Sequence, residues 1–109
     1  MVGTLNRQGK STEAEPLARE ALAIREKVYE PGRYPLASAR LTLGAALLGQ
    51  KRYAEAEPLL LSALEDMKRI EADQGLTVGE KAGMTALVER LAQLYEATNR
   101  PEKAAALKQ

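Results

Sequence analysis

The sequence predicts an all-α protein built from antiparallel helix pairs that stack on one another. The segment at residues 13–17, Glu-Ala-Glu-Pro-Leu, recurs unchanged at residues 55–59, and a fixed period of 42 residues is typical of stacked-repeat proteins. Apolar residues around both copies follow the helical spacing of three and four. They are mainly Ala and Leu, without any Phe or Trp, and this composition favours closely packed helices over sheets.

The repeat divides a single domain, residues 1–109, into three similar units. Leu5 and Gln8 also recur 42 positions later, so the match reaches beyond the five-residue segment. Each unit is predicted to hold two helices joined by a tight turn. The units cover about residues 1–34, 35–76 and 77–109. The first helix of the first unit and the second helix of the third are shortened, so about five to six helices are expected.

The first unit is predicted to contain the end of one helix and all of the next. Residues 1–8 form that end, and a turn at Gly9 follows. The second helix opens near Thr12, which is spaced with Glu15 as a capping box. Pro16 is expected in its first turn. The backbone N–H groups there have no partner within the helix, so the missing N–H of proline costs no hydrogen bond. The core-facing residues are predicted to be Leu17, Ala18, Ala21, Ile24 and Val28.

The second unit follows a break at residues 31–35 and has the most regular apolar pattern. Its first helix is predicted to start near Leu36. Gly44 lies inside that helix at a cost of about 1 kcal/mol relative to Ala, so we expect a neighbouring helix backbone to approach closely there. After a turn around Lys51, the second helix is predicted over about residues 53–74.

The third unit differs in the connection that leads to it. It matches the second unit at an offset of 48 rather than 42, so six extra residues are expected in a long glycine-rich loop at residues 74–83. A helix is then predicted from Met84 to Tyr95. A turn at Asn99 follows, and a last helix begins at Glu102.

The composition argues against several classes of function. The chain has no Cys and no His, so the commonest general base, the commonest metal ligand and all thiolate chemistry are missing, and we expect no catalytic residue, metal or cofactor. A net charge of +1 without a basic stripe argues against nucleic acid. The longest weakly polar run, residues 41–49, is too short to span a bilayer. No signal peptide is visible, and we expect a cytoplasmic protein without a membrane partner.

The pattern resembles the tetratricopeptide repeat, in the longer 42-residue form seen in kinesin light chains. The second unit supplies the small and large apolar positions of that family as Leu43, Gly44, Leu47, Ala56, Leu60 and Ala63. The other units supply Leu5, Gly9, Ala14, Ala18, Ala21, Leu91, Ala92, Tyr95 and Ala104. The resemblance implies a right-handed solenoid of stacked antiparallel helix pairs. Lys51 and Asn99 depart from the family, because glycine is usual at these turn positions.

The resemblance also implies a binding surface for a protein or peptide partner, on the concave face formed by the first helix of each pair. The matching candidates are Asn6, Arg7, Ser38, Leu41, Ala45, Leu48, Glu89, Arg90, Gln93 and Glu96. Leu41 and Leu48 form either a patch for a partner or a contact with a neighbouring helix or a second copy. Glu89 and Glu96 either meet a basic segment or are solvated. The carboxylate clamp of some family members is not expected, because only Arg90 fits its pattern.

Self-assembly is the alternative function. A solenoid needs its terminal apolar faces covered, and the predicted open ends carry Leu5 and the apolar run at residues 104–107. We therefore expect a homodimer or a larger assembly of the isolated chain, in which a second copy occupies the groove and the open ends.

Overall fold

The computed structural model describes residues 10–107, with side chains described from residue 12. These residues form five α-helices and no strand. They are α1 (Lys10–Val28), α2 (Tyr34–Gly49), α3 (Tyr53–Gln74), α4 (Val78–Ala97) and α5 (Pro101–Leu107). The predicted all-α helical repeat is confirmed. The predicted helix end at residues 1–8 lies outside the described residues, and so do the candidate site residues Asn6 and Arg7.

The helices pack as two hairpins, preceded by the single helix α1. α2 packs on α3, α4 packs on α5, α1 lies against α2, and α4 contacts both α2 and α3. Small residues on one helix meet large residues on the next, which allows close approach of the helix axes. The central core consists of Ala18, Ala37, Leu43, Leu47, Ala56, Leu60, Ala63, Leu64, Met67, Leu87, Leu91, Ala92, Leu94, Tyr95 and Ala104.

The turn within each hairpin is a Schellman motif with a non-glycine residue in the left-handed conformation. Lys51 and Asn99 have φ values of 63° and 62°. In the first hairpin, the N–H of Arg52 donates to the carbonyl of Leu47, and the N–H of Lys51 donates to that of Leu48. The second hairpin repeats both bonds. The loss of the usual glycine therefore leaves the turn geometry unchanged and adds conformational strain.

A glycine is needed at position 44 because the side chain of a neighbouring helix occupies the space that a Cβ would take. We expected a neighbouring helix backbone to be the main cause. A Cβ at Gly44 would lie 2.7 Å from Cδ2 and 2.8 Å from Cγ of Leu60, whereas the nearest backbone atom, the carbonyl oxygen of Ala56, is 3.7 Å away. Leu60 is fully buried. The absence of a side chain at Gly44 thus makes room for Leu60 between α2 and α3.

The prediction of a long loop at residues 74–83 is wrong. α3 continues to Gln74, and α4 begins at Val78, so only three residues separate the two helices. Thr77 caps α4: its hydroxyl accepts a hydrogen bond from the N–H of Glu80, whose carboxylate accepts one from the N–H of Thr77. The six extra residues lengthen the two helices by one turn each, and the connection between them becomes shorter.

The expected capping box of Thr12 and Glu15 is also wrong. α1 already includes Lys10, so Thr12 lies within the helix, and Pro16 comes after its first turn. The carboxylate of Glu15 instead accepts hydrogen bonds from Arg19, Gln50 and Arg52. The hydrogen bond from Gln50, followed by the one from Arg19 and the charge of Arg52, holds the pKa of Glu15 below its ordinary value of 4.5.

We call the ion pair between Glu15 and Arg52 a joint, and an equivalent joint is present one unit later. Glu57 is the repeat copy of Glu15, and it forms an ion pair with Arg100 at 3.2 Å, as Glu15 does with Arg52 at 2.6 Å. Arg100 also lies over the ring of Tyr95, 5.1 Å from its centroid. Burial raises the pKa of Tyr95, and its hydrogen bond with Glu57 raises it further. The repeated Glu-Ala-Glu-Pro-Leu segment therefore links successive helix pairs through its second glutamate.

The apolar residues predicted to face the core from α1 divide between two faces. Ala18 is buried against the rest of the molecule, as expected. Leu17, Ile24 and Val28 are 69%, 54% and 69% exposed, and Ala21 is exposed as well. In the second unit, the residues matching Ala21 and Val28 are buried, because α2 covers that face of α3. No helix among the described residues covers the corresponding face of α1.

Candidate functional site

A groove lies where α2 and α4 run side by side, and it contains four of the predicted site residues. Its volume is about 280 Å³. The residues that line it are Ala45, Leu48, Gly49, Lys51, Tyr53, Arg90, Gln93 and Ala97. Of these, Ala45, Leu48, Arg90 and Gln93 were predicted from the sequence. We call this feature the α2–α4 groove.

Helical periodicity and the turn geometry place these residues together. Ala45, Leu48 and Gly49 are separated by three and four positions, so they share one face of α2. Small residues at positions 45 and 49 leave the groove open, while Leu48 packs its inner side against the core. The left-handed Lys51 then reverses the chain, which brings its own side chain and the ring of Tyr53 to the groove.

The α2–α4 groove has two cationic side chains and no carboxylate in its lining. Arg90 is partly buried, and it is the only arginine within residues 12–107 without a hydrogen bond or ion pair to another described residue. Lys51 also lacks an ion pair there, and the hydroxyl of Tyr53 has no hydrogen-bond partner among the same residues. A partly desolvated cation without a counter-charge favours an incoming anionic group.

The structure does not bring the remaining predicted residues into this groove. Leu41 is partly buried and packs against the core. Ser38 lies earlier on α2, and its carbonyl accepts a hydrogen bond from the hydroxyl of Thr42. Glu96 is exposed. Glu89 lines a separate shallow groove with a volume of about 460 Å³, beside Met84 and Val88.

Sequence reasoning missed Lys51, Tyr53 and Ala97 as groove residues. It searched the first helix of each pair, as the family resemblance directs, whereas Lys51 and Tyr53 belong to the turn and to the start of α3. A signal was present, because a lysine at a position that usually carries glycine costs stability, and such strained positions are concentrated at functional sites.

Another cavity, of about 990 Å³, lies at the opposite end of the first hairpin, beside the α1–α2 connection. The buried carboxylate of this cavity is already paired with two arginines. Asp66, only 9% exposed, accepts hydrogen bonds from Arg40 at 3.0 Å and from Arg69 at 2.5 Å. The hydroxyl of Tyr34 donates to the carbonyl of Glu80, and burial, with the Glu80 charge, raises the pKa of this hydroxyl. These contacts hold the ends of α2, α3 and α4 together.

Metal-binding side chains are not clustered in the described residues. Within that part of the chain, no three side chains of the metal-binding types Asp, Glu, His and Cys come together in a suitable cluster. In the same residues, no helix combines the length and the apolar character that crossing a membrane requires.

Comparison with known families assigns the architecture. The family model described as tetratricopeptide repeat matches residues 1–69, which is more than half of the chain. The chain therefore belongs to the tetratricopeptide repeat family. Repeats of this family generally mediate protein–protein interactions on a non-catalytic scaffold. No curated protein and no solved structure matches the chain significantly. The likeness to the kinesin light chain form stays a prediction from the sequence.

Proposed function

We propose that this chain is a non-catalytic interaction module that binds an acidic segment of a partner protein in the α2–α4 groove. One observation carries the proposal: Arg90 is partly buried in a groove without carboxylates and has no counter-charge among the described residues. Lys51 lies beside the same groove and adds to its positive potential. An aspartate or glutamate of the partner would supply the missing charge, and the small residues Ala45 and Gly49 would admit its backbone.

The size of the groove limits what it can accept. A volume of about 280 Å³ is near the lower end for small-molecule pockets, and it suits one or two side chains of an extended segment better than a folded domain. The apolar part of the floor, Leu48 with the ring of Tyr53, suits an apolar side chain next to the acidic one. We therefore propose a short peptide that combines one acidic and one apolar anchor.

The test is a selection of displayed peptides on the immobilised chain, followed by fluorescence anisotropy with the selected sequences. We expect enrichment of Asp and Glu, and a loss of affinity of about tenfold in Arg90→Gln, because a charge-assisted hydrogen bond contributes about 1.5–3 kcal/mol before solvent screening. Affinity should also decrease with salt. Lys68→Gln is the matched control, because Lys68 is exposed on α3 and does not line the groove.

A second variant separates groove binding from a general charge effect. Ala45→Glu places a carboxylate inside the groove, where it can pair with Arg90 and occupy the space of the ligand. It should abolish binding of the selected peptides while the circular dichroism spectrum and melting temperature stay near those of the parent chain. Peptides that bind Arg90→Gln and Ala45→Glu as tightly as the parent would refute the proposal. A cytoplasmic location for this interaction stays a prediction from the sequence.

A further inference from the structure

The outward face of α1 carries an uninterrupted apolar stripe with the spacing of a helix-pairing seam. Leu17, Ala21, Ile24 and Val28 follow one another at intervals of four, three and four residues, and all four are exposed. This interval is the one that coiled-coil helices present to a partner helix. We call these four residues the α1 stripe. The remaining side of α1 faces α2 through Ala18 and Leu22.

The charges beside the α1 stripe are self-complementary. Glu20 and Lys27 lie on the flank of the stripe that faces away from α2, about 10 Å apart along the helix axis. Both are exposed, and neither forms an ion pair with another described residue. When two copies of a helix pair in antiparallel orientation, each flank faces its own equivalent. Centring the pair between Ala21 and Ile24 then brings Glu20 of one copy within reach of Lys27 of the other, twice by symmetry.

We propose that the α1 stripe is the interface of an antiparallel homodimer, formed by α1 of two copies. Leu17 of one copy packs beside Val28 of the other, and Ala21 packs beside Ile24. Two Glu20–Lys27 pairs fix the orientation and the register. This surface is distinct from the α2–α4 groove, so both can be occupied at the same time.

The test is the molar mass of the complete chain over a concentration range of about a thousandfold, measured by light scattering after size-exclusion chromatography. The mass should rise from 11.9 kDa towards twice that value. Because the stripe is small, we expect a Kd of roughly 10–100 µM. Ile24→Glu should weaken the dimer by about a hundredfold or more, since the symmetry places two carboxylates in the apolar interface, each beside Ala21 of the other copy. Val78→Glu is the control, because Val78 is also an exposed apolar residue and lies on α4, outside the stripe.

Charge reversal tests the antiparallel register itself. Glu20→Lys alone should weaken the dimer by about tenfold, and so should Lys27→Glu alone, because each replaces two attractions by two repulsions. The double variant should recover the parent Kd, and an equimolar mixture of the two single variants should form a heterodimer. A chain that stays monomeric throughout the range would overturn the proposal. So would a dimer that tolerates Ile24→Glu, or a double variant that dimerises no better than the singles.

Discussion

Substituting Gly44 tests whether the contact between α2 and α3 governs the stability of the molecule. Gly44→Ala has two opposing effects. Alanine is a better helix former than glycine by about 1 kcal/mol, so an unpacked position would gain stability. At position 44, however, the new Cβ would approach two carbons of Leu60 to 2.7 and 2.8 Å, well inside normal van der Waals contact. The fully buried Leu60 has little freedom to move away.

The magnitude follows from combining these effects. Overpacking a well-packed core costs about 1–3 kcal/mol, which exceeds the gain in helix propensity, so we expect a net destabilisation of about 1 kcal/mol. Gly79→Ala is the matched control within α4, because no atom beyond the adjacent residues and the local helix backbone lies within 4 Å of the position that its Cβ would take. It should stabilise the protein by up to about 1 kcal/mol, with a smaller gain because Gly79 is in the first turn.

The assay is urea unfolding followed by circular dichroism, with melting temperatures as a second readout. The two variants should differ by about 1–2 kcal/mol in the free energy of unfolding, or by several degrees in melting temperature. Adding Leu60→Ala to Gly44→Ala removes both clashing carbons, Cγ and Cδ2, so the double variant should be more stable than the sum of the single effects predicts. Equal stabilisation by Gly44→Ala and Gly79→Ala would refute the close packing of Leu60 over Gly44.

Three further predictions concern the turn, the core and the joint between units. Lys51→Gly should raise the free energy of unfolding by about 1 kcal/mol, because it removes a left-handed non-glycine residue; an unchanged or lower urea midpoint would contradict the strain at φ 63°. Ala56→Leu should cost about 1–3 kcal/mol, since Ala56 is fully buried between α2 and α3, and an unchanged melting temperature would argue against that contact. The pKa of Glu15 is lowered in the folded state, so its stabilising contribution is present above the ordinary pKa of 4.5 and is lost as the pH falls through the folded value. Stability should therefore fall more steeply below about pH 4.5 in the parent chain than in Glu15→Gln, and parallel pH profiles would show that Glu15 contributes nothing.

The sequence was sufficient for the architecture because the repeat period and the apolar spacing report the same helix pairs. The local sequence pattern is enough to predict which positions carry small residues, such as Ala56, and which carry the large residues that pack beside them. The connection before α4 was mispredicted because we weighted glycine as a loop former. Thr77 and Glu80 carry the spacing of a capping box, and this signal should have had priority over Gly79 and Gly83.

Burial on α1 could not be predicted from periodicity. Leu17 and Leu59 occupy the same position of the repeated segment, yet Leu17 is 69% exposed and Leu59 is partly buried against the core. The spacing of apolar residues predicts which face of a helix is apolar. It does not predict whether another helix covers that face. The α2–α4 groove shows the same limit, since Lys51 and Arg90 are 39 positions apart in sequence and meet only through the left-handed turn and the packing of α4 on α2.

The glutamate–arginine joints affect how strongly the tilting or melting of one unit is coupled to its neighbours. Each joint connects the second helix of one pair to the residue that follows the turn of the next, so a unit cannot tilt without stretching an ion pair in its neighbour. In a linear array, the strength of such nearest-neighbour links decides whether units melt one at a time or together. Adjusting Glu15 and Glu57 should therefore tune the cooperativity of the whole chain while the helices themselves stay the same.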